Sequence, residues 1–388
     1  MISLLSKIFI KENGEITHQI RKAYGSLCSI VGICLNVLLF AIKYFAGTIS
    51  GSIAITADAF NNLSDAGSSF ITLVGFWYAG KKPDLEHPFG HGRFEYVSGF
   101  VVSMAILLMG AELARTSVDK IIHPQQIDTG TLALAILVIS IAVKIYMAFY
   151  NKKIGKRIGS AAMEATSLDS LSDTVATTVV LVSMLVMRFT GVNIDGICGV
   201  LVAVFILYAG YNAAKETLSP LLGKVPEPEF VQQIEKIVMA HEGVLGTHDL
   251  IVHDYGPGRV MISLHAEVPG NGDIFVLHDE IDLIERELKE KLGCEAVIHM
   301  DPIEVNNEVI NNARKRLTEQ LKKIEKTLTI HDFRMVTGPT HTNLIFDVVV
   351  PYSIKLSDKE ITEQVQEQVR QLDSSYIAVI NIDKSYVK

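Results

Sequence analysis

The sequence shows no excess of basic residues, no Cys-x-x-Cys pair and no pattern typical of a cleavable leader. Its formal net charge of -8 over 388 residues argues against a nucleic-acid partner, because such proteins carry a dominant basic patch. The four cysteines are scattered without a Cys-x-x-Cys pair, so we expect packing roles and no disulfide framework. Residues 1–24 are polar and charged, unlike a secretory signal peptide. The cysteines are Cys28, Cys34, Cys198 and Cys294.

Long apolar runs occupy the first half of the chain. Hydrophobic residues make up 49% of the sequence, which fits a protein that is partly in the membrane and partly soluble. Six runs reach the roughly 20 residues that a helix needs to cross a bilayer. The second and fifth are the least apolar, so we expect them to face the interior of a six-helix bundle. The runs lie near 26–48, 52–79, 95–118, 129–150, 161–187 and 192–213.

The basic residues of the connecting loops predict the orientation. Most lie in the lead-in and in the second-to-third and fourth-to-fifth loops, whereas the opposite loops hold only Lys120 and Arg188. Because loops rich in Lys and Arg stay on the cytoplasmic side, both termini are predicted to be cytoplasmic in the cell membrane. The transport domain is predicted over 25–215. Residues 1–24 are predicted to be an amphipathic helix on the bilayer surface, with a solvated tail as the alternative.

The second half of the chain reads as two similar soluble domains. The element order αββαβ is predicted over 216–304 and again over 305–388, a ferredoxin-like α+β arrangement in tandem. The repeat is visible in the sequence, because His248-Asp249-Leu250 is matched by His331-Asp332-Phe333. The predicted fold class is therefore an α-helical membrane domain of six transmembrane helices followed by two cytoplasmic αββαβ domains.

Acidic residues inside two of the apolar runs are the strongest functional signal. Asp58, Asn61 and Asp65 lie in the second run, and Asp169 and Asp173 lie in the fifth. Residues at i and i+4 share one face of a helix, so each run presents its polar groups together. Carboxylates in a membrane segment are costly and mark functional sites. If the two helices touch, these oxygens form a cage for a hard divalent cation, with Asp58 in a supporting position.

A structural alternative exists for these carboxylates. Asp65 and Asp173 could instead cross-link helices by pairing with Lys43 or Lys144. Several carboxylates on two helices need more partners than the runs supply, which favours a metal or proton site. Repulsion among clustered carboxylates favours protonation, and cation binding would expel those protons. Such a cluster is the basis of a cation/proton antiporter.

Two further groups of residues could bind metal. The second-to-third loop carries Asp84, His87 and His91 followed by Arg93, although a loop stabilised by helix-end hydrogen bonds is the alternative. In the first soluble domain, five residues could meet at one sheet edge and bind a regulatory metal. In the second domain Asn381 replaces a histidine, which argues against a metal there. The five residues are His248, His265, His278, His299 and Asp301.

These motifs together resemble the cation diffusion facilitator family of divalent-metal/proton antiporters. The resemblance covers roughly residues 15–303 and includes Ser64-Asp65-Ala66, Ser172-Asp173, the His87–Arg93 loop and His299-Met-Asp301-Pro. It implies a secondary active transporter and not an enzyme, acting as a homodimer joined largely through the cytoplasmic domains. It also implies export of metal from the cytosol by alternating access. The implied transport ligands are Asn61, Asp65, Asp169 and Asp173.

Two departures from the family pattern bear on function. Zinc-transporting members usually carry a histidine at the position of Asp169, so this chain resembles the manganese branch. Zinc favours nitrogen and sulfur ligands, whereas Mn²⁺ suits oxygen ligands. The second departure is the duplicate domain over 305–388, whose role is open.

The prediction is a proton-coupled Mn²⁺ exporter with no separate cofactor. The alternatives are a Zn²⁺, Fe²⁺ or broad-range exporter, and a metal sensor or scaffold that does not transport. An intramembrane aspartyl protease is disfavoured, because no Gly-x-Gly-Asp stretch accompanies the aspartates.

Overall fold

The computed structural model describes residues 5–6, 10, 18–50, 53–123, 131–190, 192 and 194–385. The chain forms two compact units. The first comprises Met1–Lys224 together with the short segment Asp254–Arg259. The second comprises Val225–His253 and Val260–Lys388.

Among its described residues, the first unit has six long helices at the positions of the six predicted runs. Five of them, all except α2, are long and apolar enough to cross a membrane by length and composition. Six membrane crossings therefore remain a prediction. Of the predicted lead-in, residues 18–24 begin α1, and most of the remainder lies outside the described residues. The helices are α1 (His18–Ser50), α2 (Ile53–Ala79), α3 (Phe94–Ile122), α4 (Thr131–Ile158), α5 (Ala161–Thr190) and α6 (Asp195–Leu218).

Small and hydroxyl residues bring α5 close to its neighbours. Thr166 Oγ1 lies 2.9 Å from Thr72 Oγ1 of α2, and both side chains are buried. Ser167 Oγ donates a 2.8 Å hydrogen bond to the Ala148 carbonyl of α4. Helices in membranes associate through close packing of small residues and such interhelical hydrogen bonds. These contacts hold α5 against α2 and α4, the two helices that contribute charged residues to the aspartate cluster described below.

The described elements of the second unit follow the order αββαβ twice, and we call each set a module. That the two modules are tandem domains stays a prediction. The first module consists of α7 (Pro228–Val238), β1 (Gly246–Asp254), β2 (Val260–Pro269), α8 (Ile274–Leu292) and β3 (Cys294–Ile303). The second module consists of α9 (Glu308–Ile324), β4 (Thr329–Thr337), β5 (Thr342–Pro351), α10 (Asp358–Leu372) and β6 (Tyr376–Ser385). The described strands form two three-stranded sheets, ordered β1-β2-β3 and β4-β5-β6.

Local sequence signals explain where the helices of the modules begin and end. The Asp273 carboxylate accepts hydrogen bonds from the first backbone amides of α8, and Gly293 ends that helix at φ 65°. Ser357 and Glu360 form a capping box at the start of α10. Each helix covers one face of its sheet with apolar side chains, and each module has its own core.

Candidate metal centres

Three aspartates meet within the helical unit, as helical spacing predicts. Asp65 of α2 and Asp169 and Asp173 of α5 each offer an oxygen, and these oxygens all lie within 4.8 Å of one another. The Asp169 residue is 6% exposed, and the side chains of Asp65 and Asp173 are 13% and 14% exposed. The arrangement offers only oxygen ligands.

A buried lysine lies among these aspartates. Lys144 Nζ of α4 donates hydrogen bonds to Asp65 Oδ2 at 2.7 Å and to Asp173 Oδ2 at 2.6 Å. The Lys144 side chain is 5% exposed. This is the pairing that the structural alternative describes, so Lys144 neutralises part of the charge of the cluster. It leaves Asp169 without a hydrogen bond in the part of the chain that the structure describes.

Two predicted members of this site are not among the described residues of the cluster. Asn61 lies one turn before Asp65 on α2, but its side chain is exposed, whereas the neighbouring Asn62 is buried. Asp58 lies within α2, and its side chain is outside the described residues. The ligand role of Asn61 and the supporting role of Asp58 stay predictions.

The loop between α2 and α3 brings its three predicted residues together. Asp84 Oδ1 accepts hydrogen bonds from the backbone amides of His87 (2.7 Å) and Glu86 (3.1 Å). The hydrogen bond from the His87 amide is the main cause that lowers the pKa of Asp84. The other carboxylate oxygen lies 3.4 Å from Nε2 of the buried His91. These three residues have the geometry to hold a metal ion.

Arg93 does not join this loop cluster. Its Nε and Nη2 donate hydrogen bonds of 2.9 and 2.7 Å to the Asp254 carbonyl, which also belongs to the first unit. The backbones of Gly92 and Gly256 cross so closely that a Cβ on Gly256 would lie 2.2 Å from the Gly92 carbonyl carbon. Arg93 therefore bonds to the last residue of β1 and not to a helix end, and its supporting role in the loop cluster stays a prediction.

The first module holds a cluster of histidines and aspartates. His248 Nε2 of β1 lies 3.3 Å from Asp301 Oδ2 of β3, and His265 Nδ1 of β2 lies 2.8 Å from the same oxygen. The cluster is completed by Asp332, which belongs to the second module and lies 3.8 Å from His248 Nε2. We term these four residues the first soluble site.

The two other histidines predicted for this site lie differently. His299 is paired in register with His265, and its Nε2 lies 3.2 Å from Asp301 Oδ1, but its side chain is 67% exposed. His278 lies on α8, not on a strand, with an exposed side chain 3.9 Å from Asp282. The described residues do not bring His278 into the sheet-edge cluster, so its role as a metal ligand stays a prediction.

A second cluster occupies the equivalent place in the second module. His331 and Asp347 are paired between β4 and β5, and Asp383 follows on β6. His331 Nε2 lies 3.0 Å from Asp383 Oδ2 and 3.6 Å from Asp249 Oδ1 of the first module. The rings of His331 and His248 stack with centroids 4.0 Å apart.

Charge crowding perturbs the groups of both clusters. Burial opposes protonation of His248, but neighbouring Asp249, Asp332 and Asp301 outweigh it and raise its pKa. Burial, together with the carboxylates of Asp249 and Asp347, raises the pKa of Asp383. In both clusters several carboxylates surround a histidine. The negative charge of these carboxylates would stabilise a bound cation.

Asp249 and Asp332 were not predicted as site residues. Both adopt left-handed backbone conformations at φ 52°, and they are the only non-glycine residues with positive φ in the part of the chain described. Each follows the histidine of the repeated His-Asp pair, so the two aspartates occupy equivalent positions in the two modules. The sequence alone does not show that each reaches the other module.

Comparisons with known proteins cover most of the chain. Residues 29–222 match the family described as cation efflux transmembrane domain, and residues 226–303 match that described as cation efflux protein, cytoplasmic domain. An uncharacterized transporter of Methanocaldococcus jannaschii is 32% identical over 279 residues, which cover 72% of this chain and 97% of the relative. The cation-efflux pump FieF of Salmonella typhi is 27% identical over 288 residues, which cover 73% of this chain and 96% of the relative. Both family matches end before the second module begins.

Proposed function

The chain belongs to the cation efflux family of multi-pass membrane transporters, and we propose that this protein exports Mn²⁺ from the cytosol in exchange for protons. The observation that carries the proposal is the buried, all-carboxylate cluster of Asp65, Asp169 and Asp173 on two membrane-type helices. In this proposal Asn61 adds its amide oxygen when α2 turns during transport. The cation is the substrate of the cluster and not a resident cofactor.

The choice of Mn²⁺ follows from the ligand chemistry. The described cluster offers carboxylate oxygens and no imidazole or thiolate. Zn²⁺ binds best to nitrogen and sulfur, whereas Mn²⁺ suits carboxylate and carbonyl oxygens. Asp169 supplies an oxygen at the position where an imidazole would favour zinc. Fe²⁺ or Zn²⁺ export by the same site is the alternative that a competition assay resolves.

Proton coupling is supported by the charge of the cluster. Asp65, Asp169 and Asp173 carry three negative charges when ionised, and Lys144 carries one positive charge. Within these four groups two negative charges then remain, and leaving charge uncompensated in a buried site is costly. One divalent cation or two protons cancel this excess equally. Exchange of one Mn²⁺ for two protons therefore keeps the cluster neutral in both halves of the cycle.

Lys144 also competes with the incoming cation. Its ammonium hydrogen-bonds to two of the three proposed ligands, so Mn²⁺ must displace it from Asp65 and Asp173. We interpret Lys144 as a tethered cation that stabilises the cluster between transport events. The displaced ammonium can stay near Asp169, which keeps the charge count unchanged.

The family match and the sequence support the remaining parts of the proposal. The match of residues 226–303 to a domain class of cation efflux proteins supports assembly as a homodimer. The distribution of Lys and Arg in the loops supports cytoplasmic termini in the cell membrane. The first soluble site and the loop cluster would bind regulatory metal on the cytoplasmic side.

Flux measurement in proteoliposomes tests the transport proposal. The full chain is reconstituted, a pH gradient is imposed, and Mn²⁺ movement is followed with a trapped fluorescent indicator. Asp65→Asn and Asp173→Asn keep the side-chain shape but remove the charge, and each should reduce flux to the level of empty liposomes. Asp119→Asn removes a carboxylate that is 63% exposed on α3 and should transport like the unmodified protein. Full flux in either site variant would refute the assignment of the site.

A further inference from the structure

The second module has a cluster of possible metal ligands, although its sequence has fewer histidines than the first module at the equivalent positions. His331, Asp347 and Asp383 each offer a ligand atom, all within 4.8 Å of one another. Asn381 does replace a histidine, as noted from the sequence, and it is paired in register with Asp347. The structure supplies a different fourth group, Asp249 of the first module, whose Oδ1 lies 3.6 Å from His331 Nε2.

The state of His331 points to a ligand. The residue is 5% exposed, and neither ring nitrogen forms a hydrogen bond within the described part of the chain. Asp383 Oδ2 likewise lacks a hydrogen bond there, although it is only 3.0 Å from His331 Nε2. Leaving a buried imidazole without a hydrogen bond is costly, so a bound ligand would stabilise this residue. Two ligands of an octahedral ion with bonds of about 2.1 Å lie about 3 Å apart, which matches this separation.

The cluster is one half of a reciprocal arrangement. His248 approaches Asp332 of the second module, and His331 approaches Asp249 of the first. Such exchange of equivalent contacts is the signature of a two-fold interface, here between two modules of one chain. Both aspartates have the left-handed backbone conformation at φ 52°, so the two contacts start from the same local geometry.

We infer that His331, Asp347 and Asp383, together with Asp249 from the first module, form a second divalent-cation site in the soluble part of the chain. One imidazole and three carboxylates make a harder ligand set than the two imidazoles and two carboxylates of the first soluble site. Oxygen-rich sites suit Mn²⁺ better than Zn²⁺. The second site is therefore a Mn²⁺-class site beside a zinc-compatible one.

The site has a consequence for how the modules are held together. Each of the two clusters takes a carboxylate from the opposite module, so an ion in either one binds both modules at once. The carboxylates that crowd His331 would otherwise repel one another across this contact. Cation binding therefore stabilises the contact between the modules. This inference rests on binding and not on the transport proposal.

Counting bound Mn²⁺ tests the site directly. The full chain in detergent is stripped with a chelator and titrated with Mn²⁺, and the free ion is measured by its electron paramagnetic resonance signal. Asp383→Asn should lower the number of bound ions by about one, as expected when a site loses a charged ligand. Asp358→Asn removes a carboxylate that is 60% exposed in the same module, and it should leave the count unchanged.

A gain of zinc preference provides the second test. Asp347→His would give the second site the same ligand types as the first, because Asp347 occupies the position of His265. Zn²⁺ should then displace Mn²⁺ from this site about tenfold more effectively than in the unmodified protein. If Asp383→Asn binds as much Mn²⁺ as the unmodified protein, with the same affinity, the site does not exist. An unchanged zinc preference in Asp347→His would overturn the proposed ligand set.

Discussion

Replacing Lys144 by methionine should destabilise the protein when no divalent cation is present. The substitution keeps much of the side-chain length but removes the ammonium that hydrogen-bonds to Asp65 and Asp173. Removing one partner of a buried ion pair costs about 3–5 kcal/mol, because the remaining charge is left uncompensated. Both carboxylates are more than four fifths buried, so the cost is close to that of a fully buried pair. It is an upper limit, because protonation of the aspartates would reduce the uncompensated charge.

The thermal midpoint in detergent measures this effect. With chelator present, Lys144→Met should unfold at a lower temperature, and the difference should shrink as the pH falls, since protons replace the lost charge. Added Mn²⁺ should raise the midpoint more in Lys144→Met than in the unmodified protein, because no ammonium competes for the carboxylates. Lys152→Met removes an exposed lysine from the same helix and serves as the control.

Two results would refute the role assigned to Lys144. An unchanged midpoint in chelator would mean that the ammonium does not compensate the carboxylates. A Mn²⁺-induced rise no larger than in the unmodified protein would mean that Lys144 does not compete with the cation.

Three further predictions concern other parts of the chain. Asp169→His should raise the ratio of Zn²⁺ to Mn²⁺ flux in a competition assay, and an unchanged ratio would contradict the ligand-hardness argument. Gly256→Ala should lower the thermal midpoint well beyond Gly258→Ala, since both glycines have positive φ but only the first would clash with Gly92. Equal losses would show that the close approach is unimportant. Ser357→Ala should cost about 1 kcal/mol in denaturant unfolding by removing a capping box, and a loss near zero would show that the cap is dispensable.

Helical spacing predicted which aspartates meet, but it did not predict what they contact. Asp169 and Asp173 share a face because they are four residues apart, and the small residues around them allow α5 to approach α2. Placing Lys144 between Asp65 and Asp173 requires the depth and rotation of α4, which sequence periodicity does not define. Lys144 was therefore recognisable only as one possible partner.

The contacts between the two modules could not be predicted from the sequence either. The repeated His-Asp pairs at His248 and His331 predict equivalent positions in the two modules. They do not predict that each aspartate faces the other module, because this depends on how the modules pack. His278 shows the same dependence on packing, because its exposed side chain on α8 lies apart from the described cluster and its ligand role stays a prediction.

Simultaneous measurement of Mn²⁺ and proton flux in the same proteoliposomes tests the transport mechanism most directly. A cluster of three carboxylates and one lysine should exchange about two protons for each Mn²⁺, and Asp173→Asn should abolish both fluxes together. Mn²⁺ movement that continues without any proton counterflow, at every imposed pH gradient, would contradict the mechanism.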